Sequence, residues 1–425
     1  MIPANAVIDT LKKYILVDGY HHVMDFDKSH GSWLVDKNNG KEYLDCFGQF
    51  ASLALGYNHP ALIKNKDRLV NAAMCKIVNS DLYSEEYASF VDKFFKVALP
   101  TYFKYGFFVE GGSPAVENAL KVAFDWKAKR MGYKVDDDYI PNFLEVIHLN
   151  KCFHGRGGYT MSMTSTGRLK TGLFPHFDWP RITNPAADDI NVEKLEQQSL
   201  GQAKQMFLKN KIAAIILEPQ MGEGGNHMFR KEYIQALRKL ADENDCLLIF
   251  DEVQTGLGAS GKWWCHEHYG VQPDIMVFGK KMQVCGIVAT NKLDSVPDHC
   301  FKQSGRINST WGGNIVDMVR AEIIIDTIVE EKLIKQTAEV GEFLKDELTY
   351  ISLQSKTITN VRGVGTLLAF DLPTKEDRDQ VLKQLNEKMI ILGCGEKSIR
   401  IRPALTFTRD DACAAINIFK EVLTK

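Results

Sequence analysis

Short uninterrupted apolar runs, each separated from the next by a longer amphipathic stretch, leave this chain few folds to choose from. Tyr105–Val109 (YGFFV), Leu144–Leu149 (LEVIHL), Ile212–Leu217 (IAAIIL), Leu247–Phe250 (LLIF) and Ile275–Phe278 (IMVF) read as strands buried on both faces. Between them, Pro114 to about Lys129, Leu195–Lys209 and Tyr233–Asn244 carry helical periodicity. Strands and helices in alternation predict an α/β architecture, a mostly parallel central sheet covered by helices on both sides. Pro175–Asp189, crowded with Pro, Asp, Asn and Trp, reads as a loop insertion. The last hundred residues change pattern. A long helix over Asn314–Glu331 precedes a mixed region with a strand at Gly365–Asp371 and a terminal helix at Asp410–Leu423. The expected organisation is a large domain over residues 51–312 and a smaller α+β domain over 313–425, which residues 1–50 join.

Composition narrows the function classes. The 425 residues carry 52 basic and 54 acidic side chains, a net charge of −2, which gives no support for a nucleic-acid or polyanion partner. No apolar run approaches the roughly 20 residues of a membrane span. Met1-Ile2-Pro3-Ala4-Asn5 lacks a basic region followed by an apolar one, so no export signal is expected. The 9 cysteines include no C-x-x-C pair, which argues against a disulfide framework or a zinc ribbon. A soluble, cytoplasmic protein is the expectation.

Five stretches could carry chemistry. Phe107-Phe108-Val109-Glu110-Gly111-Gly112-Ser113-Pro114 ends a strand in two glycines and starts a helix with Pro in its first turn. Free N–H groups and the positive end of the helix dipole make that junction an anion cup, although Gly-Gly-Ser-Pro is also an ordinary strand-to-helix turn. Leu247-Leu248-Ile249-Phe250-Asp251-Glu252 places an acidic pair at the carboxyl end of a strand, where open α/β sheets seat their ligands. The acid could hold magnesium, bind a protonated ring nitrogen, or cap the strand. Gly256-Leu257-Gly258-Ala259-Ser260-Gly261-Lys262 imitates a phosphate-binding loop, but Trp263 stands where a Ser or Thr must reach magnesium, and the acidic strand precedes it.

Ile275-Met276-Val277-Phe278-Gly279-Lys280-Lys281 delivers a lysine pair at a later strand end. Because adjacent strand residues point to opposite sides, one of the two can face a ligand, and a held, desolvated lysine there can act as a free amine. Phe153, in Cys152-Phe153-His154-Gly155-Arg156, could stack on a planar group, and Arg156 could clamp a carboxylate. Ser398-Ile399-Arg400-Ile401-Arg402-Pro403 puts two arginines on one strand face, a costly arrangement without an anion beside them. Glu218 and Glu223 are candidates for that partner. In Cys265-His266-Glu267-His268 the two histidines would point to nearly opposite sides of a helix, so a structural helix outweighs a metal site.

A phosphate cup, an aspartate at a strand end and a lysine at a later strand end are the minimal parts of a pyridoxal-phosphate site. In this order, with Ser32-Trp33-Leu34-Val35-Asp36, Ala115-Val116-Glu117-Asn118-Ala119-Leu120-Lys121, Phe177-Asp178-Trp179-Pro180-Arg181, Gln283-Val284-Cys285-Gly286 and Asn308-Ser309-Thr310-Trp311-Gly312-Gly313-Asn314, the chain resembles the class III pyridoxal-phosphate aminotransferases over essentially its whole length. Within that family it is most similar to the lysine-accepting branch. The 4-aminobutyrate-accepting branch is the alternative, suggested by Gly393-Cys394-Gly395-Glu396-Lys397-Ser398-Ile399-Arg400. A cofactor-binding scaffold without activity is a third.

The resemblance implies a fold-type I homodimer with active sites at the subunit interface. It implies Lys280 as the Schiff-base lysine and proton carrier, Asp251 against the pyridinium nitrogen and Gln254 at the phenolic oxygen. Phe153 would lie on the ring, Gly112 and Ser113 around the phosphate, and Thr310 would reach the phosphate from the other subunit. Arg156 and Arg402 would hold substrate carboxylates. Glu223, in the glycine-flanked and mobile setting Met221-Gly222-Glu223-Gly224-Gly225, would pair with Arg402 during the lysine half-reaction and swing away for a dicarboxylate. Many members carry Ser-Gly-Thr-Glu where this chain has Gly111-Gly112-Ser113-Pro114, so its side-chain contacts to phosphate differ.

Overall fold

The computed structural model describes residues 1–137, 143–209, 211–355 and 357–423. An opening hairpin pairs β1 (Trp33–Val35) with β2 (Glu42–Asp45). The central sheet follows, made from β3 (Phe103–Val109), β4 (Glu145–Leu149), β5 (Arg181–Ile182), β6 (Ile212–Leu217), β7 (Leu247–Asp251), β8 (Ile275–Phe278) and β9 (Cys285–Thr290). Their spatial order is β3-β9-β8-β7-β6-β4-β5, and β9 alone runs against its neighbours. The remainder is β10 (Thr359–Val364), β11 (Leu367–Asp371), β12 (Met389–Ile390), β13 (Leu392–Cys394) and β14 (Ser398–Ile401). β10, β11, β14 and β13 form an antiparallel sheet, whereas β12 joins β2 in parallel. The early hairpin and the C-terminal region thus share one sheet.

The apolar runs became strands because both faces are covered. Every residue of β6, β7 and β8 is buried, and each large apolar side chain so placed contributes about 1.5–3 kcal/mol. The helix Gly112–Arg130 lies on one face, burying Ala115, Val116, Ala119, Leu120, Ala123 and Trp126 against the sheet. Pro114 falls in its first turn, where a missing N–H costs nothing, and Lys127, Lys129 and Arg130 complement the dipole in its last. The helix Lys231–Glu243 covers the opposite face with Tyr233, Ile234, Leu237 and Ala241.

Three expectations need correcting. The insertion at 175–189 is not wholly irregular, since Arg181–Ile182 pairs with His148–Leu149 as the edge strand β5. The lysine pair is not on a strand. β8 ends at Phe278 and residues 280–282 form a 3₁₀ turn, with Lys280 at φ +51°. The Cys265–His268 segment is a single 3₁₀ turn, not an α-helix.

Candidate active site

The carboxyl ends of β3, β6, β7 and β8, with β14 from the second sheet, converge on one buried locus. At the end of β3, Gly111 takes φ +106° and starts the helix Gly112–Arg130 with no side-chain cap, so its first N–H groups stay available. The Ser113 hydroxyl is already shared with Thr160 Oγ1 at 2.7 Å and accepts from the Gly157 N–H at 3.1 Å. Ser113 therefore laces the cup to the Phe153–Thr160 loop, and the helix offers mainly backbone donors to an anion.

Asp251 closes β7, 5% exposed, and its Oδ2 accepts from His154 Nδ1 at 2.8 Å. Its Oδ1 accepts from the Val253 N–H at 3.1 Å. The neighbouring Glu252 is fully spent inside the protein. It accepts from the Cys265 N–H (3.0 Å), the His266 N–H (2.7 Å) and His266 Nδ1 (2.9 Å). Tyr102 takes the other ring nitrogen of His266 at 2.7 Å. The acidic pair thus divides into one acid facing the site and one that ties down the following loop. That loop, 256–262, leaves Lys262 exposed and resembles a phosphate loop in letters alone.

The two lysines also separate. Lys281 donates to the Leu53 carbonyl at 3.2 Å and the Pro403 carbonyl at 2.9 Å, a structural bolt between distant segments. Lys280 faces the arginines. Burial pushes its amine down to about 8, and the Arg402 and Arg400 guanidiniums push the same way against Glu223 and Glu218. Its left-handed backbone is a strained conformation for lysine, held by a turn whose Gln283 also has positive φ.

Glu223 sits between cations, but not as expected. Its Oε1 is 2.5 Å from Arg400 Nη1 and its Oε2 3.1 Å from Lys170 Nζ. Burial would raise this carboxyl, yet Arg400 and then Lys170 hold it at about 2. Arg402, the expected partner, instead donates to Asn226 Oδ1 at 2.7 Å and the Gly222 carbonyl at 3.4 Å. Its Nε and Nη1 are buried without a partner. Burial and then the neighbouring Arg400 lower its pKa to about 10. Glu218 pairs with neither arginine. It accepts from the Phe153 N–H at 2.9 Å and the Gly222 N–H at 2.8 Å, and burial pushes its pKa up to about 7.

The glycines around Glu223 serve close packing and not mobility. A Cβ at Gly224 would lie 2.0 Å from the Lys151 carbonyl, and one at Gly222 2.2 Å from Gln254 Oε1. The Glu223 carbonyl also accepts from the Gly395 N–H at 2.9 Å. With the backbone so packed, any movement of Glu223 falls to its side chain. Gly224→Ala is therefore expected to displace this segment and lower the thermal midpoint by on the order of 5 °C, read by scanning calorimetry.

Gly112, Ser113, Phe153, Glu223, Asp251, Gln254, Lys280 and Arg402 thus come together through these contacts. Two further expected residues have side chains that make none of these contacts. Arg156 is exposed with no ion pair among the described residues, and Thr310 is exposed on a loop fastened to Asn79 and Ser80.

Residues 15–423 match the family Aminotransferase class-III. The chain belongs to that family. The L-lysine-epsilon aminotransferase of Streptomyces clavuligerus is 41% identical, with 99% of this chain and 94% of that one aligned. The solved lysine aminotransferase of Mycobacterium tuberculosis superposes with a TM-score of 0.95 at 42% identity, covering 100% of this chain and 99% of its own. The 4-aminobutyrate aminotransferase of Kluyveromyces lactis is further away, 32% identical over 95% of this chain and 90% of its own.

Class III members are pyridoxal-phosphate enzymes, and the residues here fit that cofactor. The uncapped helix suits a phosphate, and Asp251 suits a protonated ring nitrogen. Gln254 Oε1 is buried with no partner among the described residues, so nothing in the protein fixes which end of the amide is turned outward, and with its NH2 so turned Gln254 suits an acceptor oxygen. His154, Lys170 and Asn226 were not assigned roles from sequence, and Arg400 was read only as one of an arginine pair that needs an anion. His154 is adjacent to Phe153, but Lys170 and Asn226 are distant in sequence from what they touch or lie in a glycine run, so no pattern marked them.

Proposed function

We infer that this chain moves the terminal amine of L-lysine to 2-oxoglutarate, giving L-glutamate and 2-aminoadipate 6-semialdehyde, which cyclises to piperideine-6-carboxylate. The observation that carries this reading is a half-buried carboxylate, Glu223, set between cations next to a buried arginine with open donors and a lysine of lowered pKa. Pyridoxal phosphate, when bound, supplies the electron sink for a carbanion at the carbon that bears the transferred amine.

The chain's own groups do the rest. Lys280 anchors the cofactor and, with a pKa near the working range, takes a proton from that carbon and returns it. Asp251, fixed by His154, would keep a ring nitrogen protonated, and Gln254 would donate to the phenolic oxygen. Phe153 would hold the ring by its face, while Gly112 and Ser113 would offer the helix N-terminus to the phosphate. Arg402 binds the carboxylate next to the reacting carbon of glutamate. Lysine has no carboxylate there, and a buried guanidinium facing its apolar chain would be destabilised. Glu223 then turns to Arg402 and neutralises it, while Arg156 holds lysine's distant carboxylate.

The working form is a homodimer in the cytoplasm, in which the partner copy covers the exposed Thr310 and Arg156. Residues 51–312 act as the large domain, and 1–50 with 313–425 as the small one, a division supported by the β2–β12 pairing. No described helix is long and apolar enough to cross a membrane.

An amine-donor panel of lysine, ornithine and 4-aminobutyrate with 2-oxoglutarate, scored by glutamate formed, tests the assignment. Lysine is expected to lead, and a faster reaction with 4-aminobutyrate would refute it. Glu223→Ala is expected to slow the lysine half-reaction about a hundredfold while changing the glutamate half-reaction by less than about threefold. Stopped-flow measurement of each half separately reads the difference, and equal losses would rule out the side-chain switch.

A further inference from the structure

Glu223 has two seats and only its side chain can travel between them. One seat is occupied here, with one carboxylate oxygen on Arg400 and the other on Lys170. The other seat is Arg402, whose Nε and Nη1 are unpartnered while Asn226 holds its third nitrogen. Arg400 makes the shorter contact in the occupied seat, 2.5 Å against 3.1 Å for Lys170, but it lies two residues from Arg402 and would still attract Glu223 in the other seat. Lys170 reaches the carboxylate from a different element, the short helix Arg168–Thr171. Its ammonium lies 5.3 Å from the centre of the Phe153 ring and accepts steadying from Thr166 Oγ1, to which it donates at 3.1 Å. A cation on one seat alone sets the balance between the two.

We propose that Lys170 is a positioning residue that selects between the half-reactions: it holds the Glu223 carboxylate off Arg402 and so keeps that guanidinium open to a dicarboxylate. This rests on the reading of Glu223 as the swinging group. The arrangement described here is therefore the one ready for glutamate or 2-oxoglutarate, and lysine must draw Glu223 away from Lys170. Because Lys170 is partly exposed, its hold is a modest bias, about five-fold, the range of a partly exposed ion pair.

The test measures both half-reactions of the loaded enzyme by stopped flow, at low concentrations of lysine and of glutamate, for Lys170→Met, Lys170→Arg, Glu223→Ala and the double variant Lys170→Met with Glu223→Ala. Bound-cofactor absorbance establishes that each variant is folded and loaded. The expected result is a fall of about five-fold in the glutamate-to-lysine rate ratio for Lys170→Met, the opposite direction from Glu223→Ala. Lys170→Arg, which keeps the charge, should restore the ratio. In the double variant, removing Lys170 should add nothing to the effect of Glu223→Ala on the ratio. If Glu223→Ala slows both halves equally, the switch itself is wrong and the role of Lys170 falls with it. If Glu223→Ala behaves as expected but Lys170→Met slows both halves alike, or its shift survives in the double variant, the switch stands and Lys170 has no part in it.

Discussion

Lys280→Ala is expected to lower turnover by at least about 10⁴-fold and to remove the visible absorbance of the bound cofactor, whereas Lys281→Met keeps the absorbance. The two side chains are neighbours in sequence and both are desolvated, but their surroundings differ. Lys280 faces Arg400, Arg402 and Glu223 with a pKa of about 8. Lys281, lowered by burial to about 7 although Asp45 works the other way, spends its amine on two backbone carbonyls. Its loss should appear as stability, about 1–3 kcal/mol for carbonyls left unsatisfied, in denaturant unfolding monitored by fluorescence. Absorbance lost in Lys281→Met and kept in Lys280→Ala would reverse the assignment.

Asp251→Asn should reduce turnover with lysine by on the order of 10²–10³ without preventing cofactor binding, the cost of losing a preorganised charge where one must be stabilised. An asparagine there can no longer keep a ring nitrogen protonated, although its oxygen can still accept from His154. His154→Gln should do less harm than Asp251→Asn, since it loosens the carboxylate without deleting it. Comparing kcat and KM of the two variants distinguishes the effects: Asp251→Asn acts on kcat with both substrates. An Asp251→Asn enzyme within tenfold of the parent would show that the carboxylate is not the electrostatic partner.

The strands of the central sheet were readable because burial on both faces forces an uninterrupted apolar run, and Ile212–Leu217 matches its strand residue for residue. β9 was not readable as a reversed strand, because direction leaves no mark on composition. The positions of the cup, Asp251, Gln254 and Lys280 were legible because each lies at or just beyond a strand end, where open α/β sheets seat their ligands. The partner of Glu223 was not. Arg400 and Arg402 present the same group two residues apart, and the choice between them depends on Asn226, which captures Arg402, and on Lys170, which lies 53 residues before Glu223. The glycines around Glu223 misled in a different way. Freedom of the backbone and lack of room for a side chain select the same residue, and only the contacts with Lys151 and Gln254 distinguish them.

The reversed strand has a further consequence. β9 begins where β3 and β8 end, with Cys285 opposite Val109 and Gly286 opposite Phe278. The cup and the lysine turn are therefore joined through a backbone ladder, and their spacing does not depend on which side chains line the pocket. On the proposed reading donor choice resides in other places, where Glu223 meets Gly395 and Arg402 meets Asn226 across the seam between the two sheets. An engineer could randomise the seam for new amines while the cofactor frame remains intact, and selection in nature would meet the same division.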